Sequence, residues 1–159
     1  MKSTKTRESV WDYPRPALCE RFQGSLRIIQ NECVLAQTNQ AYRTLETSHP
    51  PTYYFPPEDI DMSLLVANGQ RSFCEWKGVA HYFDLRLPKG SIQNAAWTYQ
   101  QPNAPFSSIR GYLSFYASRV DACYVDDERV EAQQGDFYGG WITTNLVGPF
   151  KGPPGTSGW

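Results

Sequence analysis

Leu45-Glu46-Thr47-Ser48-His49-Pro50-Pro51-Thr52-Tyr53-Tyr54-Phe55-Pro56-Pro57-Glu58-Asp59 is the stretch on which the reading of this chain turns. Its four prolines exclude a regular helix, because each fixes φ and lacks an N–H donor. The residue ahead of a proline is driven to extended geometry as well. What remains is a stiff, extended segment that presents Glu46, Thr47, His49 and Tyr53 close together, with Thr52 to Phe55 as a strand. Loops that carry ionisable groups on a rigid frame are where binding and catalytic residues concentrate.

Strands are expected on both sides of it. Leu26-Arg27-Ile28-Ile29 and Cys33-Val34-Leu35-Ala36 flank Gln30-Asn31-Glu32, a hairpin with Asn in the turn. Tyr42 to Glu46 continues as a strand, and a short helical stretch is expected around Ile60 to Leu65. Asn68-Gly69-Gln70 reads as a turn and Cys74-Glu75-Trp76-Lys77-Gly78 as a loop. Ala80 to Leu87 and Ser91 to Tyr99, joined by Pro88-Lys89-Gly90, form the clearest hairpin. Further on, Tyr112, Ser114 and Tyr116 share one strand face, with Val120 to Val125 as the partner strand and Asp126-Asp127 as a turn. Phe137 to Thr143 is read as a last strand bent at its glycines. This order predicts a mainly β fold, an antiparallel meander with two packed sheets as the candidate arrangement.

Composition agrees. The 159 residues suit one domain, here a tail over 1–20 packed on a domain over 21–159. Aromatics make up 14% of the chain, and they favour strands and bury much area each. Twelve Gly and twelve Pro supply the frequent turns that short strands need. A net charge of −1 gives no field for a phosphate backbone, so nucleic acid is not expected as a partner. Lys2, Lys5 and Arg7 belong to the polar tail. No apolar run reaches the length of a membrane span, and the first residues lack the apolar core of a secretory signal. A cytoplasmic protein without a membrane partner, a monomer or weak homodimer, is expected. Cys19, Cys33, Cys74 and Cys123 include no Cys-x-x-Cys pair, which predicts free thiols, no structural zinc and no cofactor.

Three groups of residues have chemistry to offer. A carboxylate such as Glu46 can hold the His49 imidazole in one tautomer so that it moves protons; the plainer reading has His49 close a turn and Glu46 face water. Cys74 with Lys77 beside it would form a thiolate more readily, and Cys74 with His49 would make a nucleophile–base pair; most lone cysteines are instead small buried hydrophobes. Alternation puts Trp97 and Tyr99 on one strand face. With Tyr82 and Trp141 they would wall a pocket that stacks a planar ligand or cages a cation, the alternative being an aromatic core. Two weak matches are set aside. Gly24-Ser25 lies too far from Asp59-Ile60-Asp61 for the paired-acid motif of nucleotidyltransferases. Gly148-Pro149-Phe150-Lys151-Gly152 lacks the N–H donors of a phosphate loop.

The proline-rich stretch, with Cys74-x-Trp76-Lys77-Gly78, Asn94-Ala95-Ala96-Trp97-Thr98-Tyr99, Phe137-Tyr138-Gly139-Gly140-Trp141 and Gly148-Pro149-Phe150-Lys151-Gly152, resembles the DUF427 family. The resemblance runs from about Glu8 to Trp159. It implies a β-tent fold, two antiparallel sheets meeting at an angle. Relatives of that architecture that hold zinc do so with paired cysteines, which this chain lacks. The aromatic cage of the cereblon-like domain is an analogy for Trp76, Trp97 and Trp141. The label nucleotidyltransferase sometimes given to the family has no support in these residues.

Taken together, the expectation is one pocket that binds a small molecule. Glu46, His49 and Tyr53 would supply polar contacts, Cys74 and Lys77 would face them, and Tyr82, Trp97, Tyr99 and Trp141 would form walls. The rivals are an enzyme using His49 as acid–base with Cys74 as nucleophile, and a structural or adaptor module.

Overall fold

Short runs of β-branched and aromatic residues between turn formers give fifteen strands in the computed structural model, which describes residues 6–135 and 137–159. Lys2 and Lys5 of the expected tail lie outside the described residues. The first eight strands are β1 (Glu8–Ser9), β2 (Leu18–Arg21), β3 (Leu26–Gln30), β4 (Cys33–Thr38), β5 (Tyr42–Leu45), β6 (Thr52–Tyr54), β7 (Leu65–Cys74) and β8 (Gly78–Leu87). Then follow β9 (Gly90–Thr98), β10 (Leu113–Phe115), β11 (Ala122–Val125), β12 (Glu128–Arg129), β13 (Glu131–Ala132), β14 (Trp141–Ile142) and β15 (Leu146–Val147).

Two four-stranded sheets, β10-β9-β8-β7 and β12-β11-β3-β4, carry the fold, beside a three-stranded sheet β2-β5-β6. Two short pairs, β13-β14 and the parallel β1-β15, complete it. The expected mainly β fold of packed antiparallel sheets is therefore met.

Local turn chemistry explains the predicted hairpins. Asn31 and Glu32 both adopt positive φ, 51° and 64°, between β3 and β4, the twist that two-residue hairpins need. Pro88 and Lys89 join β8 to β9. Cys74 pairs with Gly78 across the β7–β8 turn, which fixes where Lys77 emerges.

Four expectations are corrected. Asn68-Gly69-Gln70 is a bulge inside β7, between Ala67 and Arg71, with Gly69 at φ 81°. The Asn68 amide holds it there by donating to Asp84 Oδ1 and Asn94 Oδ1. The helix around Ile60 to Leu65 is replaced by two single 3-10 turns, Pro57–Asp59 and Met62–Leu64, since so short a segment does not repay helix nucleation. Val120 to Val125 does not pair with Tyr112 to Tyr116. A 3-10 turn at Ala117–Arg119 sends the chain to the other sheet, where β11 pairs with β3, and β10 pairs with β9. Of Phe137 to Thr143 only β14 is a strand, paired with β13. The described part of the expected tail holds β1, and β2 begins inside it at Leu18.

The main core contains Leu26, Ile28, Phe55, Leu113, Phe115 and Trp141. A second cluster, with Tyr54, Tyr82, Trp97, Tyr99, Ile109 and Tyr116, lies on the opposite side of the β7–β10 sheet. Strand parity sorts neighbours between them: Ala96 and Tyr53 enter the main core, Trp97 and Tyr54 the second.

Candidate functional site

The second cluster does not close completely. It leaves a cavity of about 130 Å³. Thr44 of β5 and Thr52 and Tyr54 of β6 form one side, while Ser72, Cys74, Tyr82 and Trp97 of β7, β8 and β9 form the other. Register makes this inevitable: Thr44 pairs with Thr52, Ser72 with Ala80 and Tyr82 with Trp97, so each set shares a face.

Glu46 and His49 enter from a tight turn in which His49 N–H donates to Glu46 O at 3.0 Å. Ser48 takes φ 72° at its third position, a strained geometry for a non-glycine residue that persists only when its surroundings impose it. They do: Ser48 N–H donates to Val10 O and Lys151 N–H donates to Ser48 O, both at 2.9 Å. Thr47 Oγ1 donates to Tyr13 O at 2.6 Å, the backbone-bonding role expected of a hydroxyl in a turn.

The His49 ring is held from three sides. Gly140 N–H donates to Gln133 Oε1 at 3.0 Å, which fixes the orientation of the Gln133 amide. Its Nε2 group then donates to Lys151 O at 2.8 Å and to His49 Nδ1 at 3.0 Å. An Nδ1 that accepts leaves the proton of neutral imidazole on Nε2, which faces Glu46 Oε2 at 3.4 Å. Tyr138 packs edge-on against the ring with centroids 5.1 Å apart. Burial lowers the His49 pKa below its ordinary value; Glu46 opposes that, and the charges of Lys151 and Lys77 reinforce it.

Lys77 reaches the same carboxylate from the β7–β8 turn, with Nζ 3.9 Å from Glu46 Oε1 and 9% of its side chain exposed. Trp97 and Tyr116, with centroids 4.6 Å apart, line the far end. Gly139 lies so close to Trp97 that a Cβ there would overlap the edge of its ring. The Tyr54 hydroxyl is buried without a well-formed hydrogen bond, beside Trp97 and Thr44. Burial pushes the Tyr54 and Tyr99 phenols far above their ordinary pKa, so both stay protonated.

Of the residues singled out in the sequence, Glu46, His49, Cys74, Lys77, Tyr82, Trp97 and Tyr99 line the cavity. Tyr53 and Trp141 do not. Tyr53 packs on Phe22 and Trp141 in the main core, and Trp141 is fully buried with Nε1 donating to Phe115 O at 3.0 Å. Trp76 packs against the second cluster without lining the cavity. Tyr54 takes the place assigned to Tyr53, and Gln133 is an addition that sequence reading missed. Parity with Glu46 and Thr44 points to Tyr54; nothing local announces Gln133, 84 positions from His49.

Cys74 is a half-buried part of the wall. Both ring nitrogens of His49 are directed elsewhere, to Gln133 and Glu46, and no hydrogen bond joins His49 to Cys74 among the described residues. Burial pushes the Cys19 thiol up to about 11, against the pull of Lys77. No group of three or more His, Cys, Asp or Glu among the described residues is placed to hold a metal. Asp59 accepts from Thr38 Oγ1 and Asp61 from Ser63 N–H, which are local structural bonds. In the Gly148–Gly152 segment Pro149 O accepts from Trp11 Nε1, and Lys151 Nζ donates to Trp159 O.

No curated protein matches the chain. A family model described as a domain of unknown function (DUF427) matches residues 18–126, which contain β2 to β11 and every cavity residue before Gln133. That match spans more than half of the sequence, and the chain belongs to the DUF427 family.

Proposed function

We propose that the cavity binds a small organic molecule. The observation that carries this reading is the convergence of Glu46, His49 and Lys77 at one end of a space whose other walls include the rings of Tyr54, Tyr82, Trp97, Tyr99 and Tyr116. Small-molecule sites have this composition, mostly apolar with a few placed polar groups. At about 130 Å³ the space limits the enclosed part of a ligand to about one ring, an apolar cavity of about 150 Å³ being the size that accepts benzene. The test is ligand-observed NMR with a library of one-ring compounds. Binders are expected that compete with one another and are lost in Trp97→Ala while its circular dichroism stays native. A library without binders, or binding unchanged in the folded variant, would overturn the reading.

One observation favours a second reading, an enzyme with His49 as acid–base. Glu46 and Gln133 hold the ring in one tautomer, with its Nε2 proton towards the Glu46 carboxylate at the cavity wall. Cys74 then has no role that depends on a bond to His49. Turnover of a bound compound that disappears in His49→Ala and persists in Cys74→Ser would support it.

A further inference from the structure

The cavity holds a buried cation that its own acceptors partner only loosely. The Lys77 side chain ends in an ammonium with three N–H groups and no acceptor capacity, and its nearest anionic partner, Glu46 Oε1, stands beyond hydrogen-bond distance. Its carboxylate neighbour stands 3.9 Å away and is shared with His49 Nε2. The Tyr54 hydroxyl, in the cavity lining, is buried without a well-formed hydrogen bond. A charge drawn out of water needs close partners, and the chain supplies Lys77 with one loose ion pair.

Resting on the reading that the cavity binds a small molecule, we propose that its ligand is a one-ring aromatic acid. The carboxylate would lie against Lys77 Nζ and His49 Nε2, and the ring against Trp97 and Tyr99. Charge bookkeeping points the same way. Lys77 and Lys151 against Glu46 leave the surroundings of His49 one fixed positive charge in excess, which an incoming anion offsets. A ligand anion beside His49 also offsets part of the cationic field that lowers its pKa. The charged and titratable groups facing His49 are Glu46 on its own turn, Lys77 from the β7–β8 turn, Lys151 from the C-terminal segment and Tyr138 from the loop before β14. None of them offers a second fixed anion. Binding an acid therefore favours the protonated ring and tightens as pH falls towards the His49 pKa.

The probes are benzoate, benzamide and benzylamine, one ring with a negative, neutral or positive substituent. Binding is read from the Trp97 indole N–H cross-peak, assigned by its absence in Trp97→Phe. Benzoate is expected to bind about tenfold or more tightly than the other two, a factor within reach of one charge-assisted hydrogen bond. Its affinity should fall by about tenfold in Lys77→Met and survive in Lys77→Arg, which controls for folding. Equal binding of benzamide or benzylamine, or an unchanged benzoate affinity in Lys77→Met, overturns the acid while leaving the binding reading intact. If none of the three moves the Trp97 signal, and the one-ring library has no binders either, both fall.

Discussion

Gln133 donates to His49 Nδ1 across 3.0 Å, and its own amide is oriented by Gly140 N–H. A residue from the segment after β13 thus sets the tautomer of a histidine on the β5–β6 turn. In the native protein, ¹⁵N NMR should find the neutral ring protonated at Nε2. Gln133→Leu should release the Nδ1 form and cost about 2 kcal/mol, since the variant leaves Gly140 N–H and Lys151 O without their partner. An Nδ1-protonated ring in the native protein would contradict the assignment.

His49 should titrate below its ordinary 6.5, chiefly because it is buried and further because Lys151 and Lys77 are near. As pH falls, the unfolded chain takes up this proton first. The stability carried by neutral His49 is therefore complete above about pH 6.5 and declines below it, down to the lower folded pKa. Thermal denaturation at pH 7.5 and pH 5 should show the decline, and His49→Gln should flatten it. Lys77→Met should raise the folded pKa by removing one cation. A native His49 that titrates at or above its ordinary value would refute this account.

Arg43 binds Glu8 through both terminal nitrogens, at 3.2 and 3.0 Å, and Glu20 through Nε at 2.7 Å. Burial alone would raise the Glu8 pKa, but the bonds from Arg43 and Tyr13 and the guanidinium charge outweigh it and hold it below its ordinary value of 4.5. The contribution of Glu8 is present above about pH 4.5 and is lost as pH falls through the folded pKa. Arg43→Met should cost about 2 kcal/mol in urea denaturation at pH 7 and should remove the acid limb that belongs to Glu8. Preservation of that limb would assign it to another carboxylate.

The glycines before β14 differ in what they touch. A Cβ at Gly140 would lie 2.5 Å from Pro50 O, whereas one at Gly139 would meet the ring of Trp97 and one at Gly158 nothing within 4 Å. Gly139→Ala should cost about 1–3 kcal/mol by overpacking and shift the Trp97 emission. Gly140→Ala should cost at least as much, because backbone yields less readily than a side chain. Gly158→Ala should leave the melting temperature unchanged. Equal melting temperatures for all three would show that the cavity wall is softer than its packing implies.

How much of this was legible in the sequence depends on distance along the chain. The β3–β4 and β8–β9 hairpins were readable because their turns are set by the residues within them, Asn31 with Glu32 and Pro88 with Lys89. The partner of Val120 to Val125 was not, since it is chosen by which sheet can bury Cys123 and Val125 beside Leu26 and Ile28. Within the site, Trp97 and Tyr99 followed from alternation. Tyr53 failed by one position, and in a strand one position means the opposite face. Gln133 and Tyr138 reach His49 only through the folded chain.

The bulge at Asn68-Gly69-Gln70 has a bearing on how molecules of this protein meet. β7 lies at the edge of its sheet with Phe73 70% exposed, and a long, even edge is a template on which another chain can crystallise into a fibril. The bulge cuts that edge into two short pieces, Leu65–Ala67 and Arg71–Cys74, out of line with each other. A docking strand would lose its register after a few residues. The kink pinned by Asn68, Asp84 and Asn94 thus breaks the continuous edge that fibril growth needs.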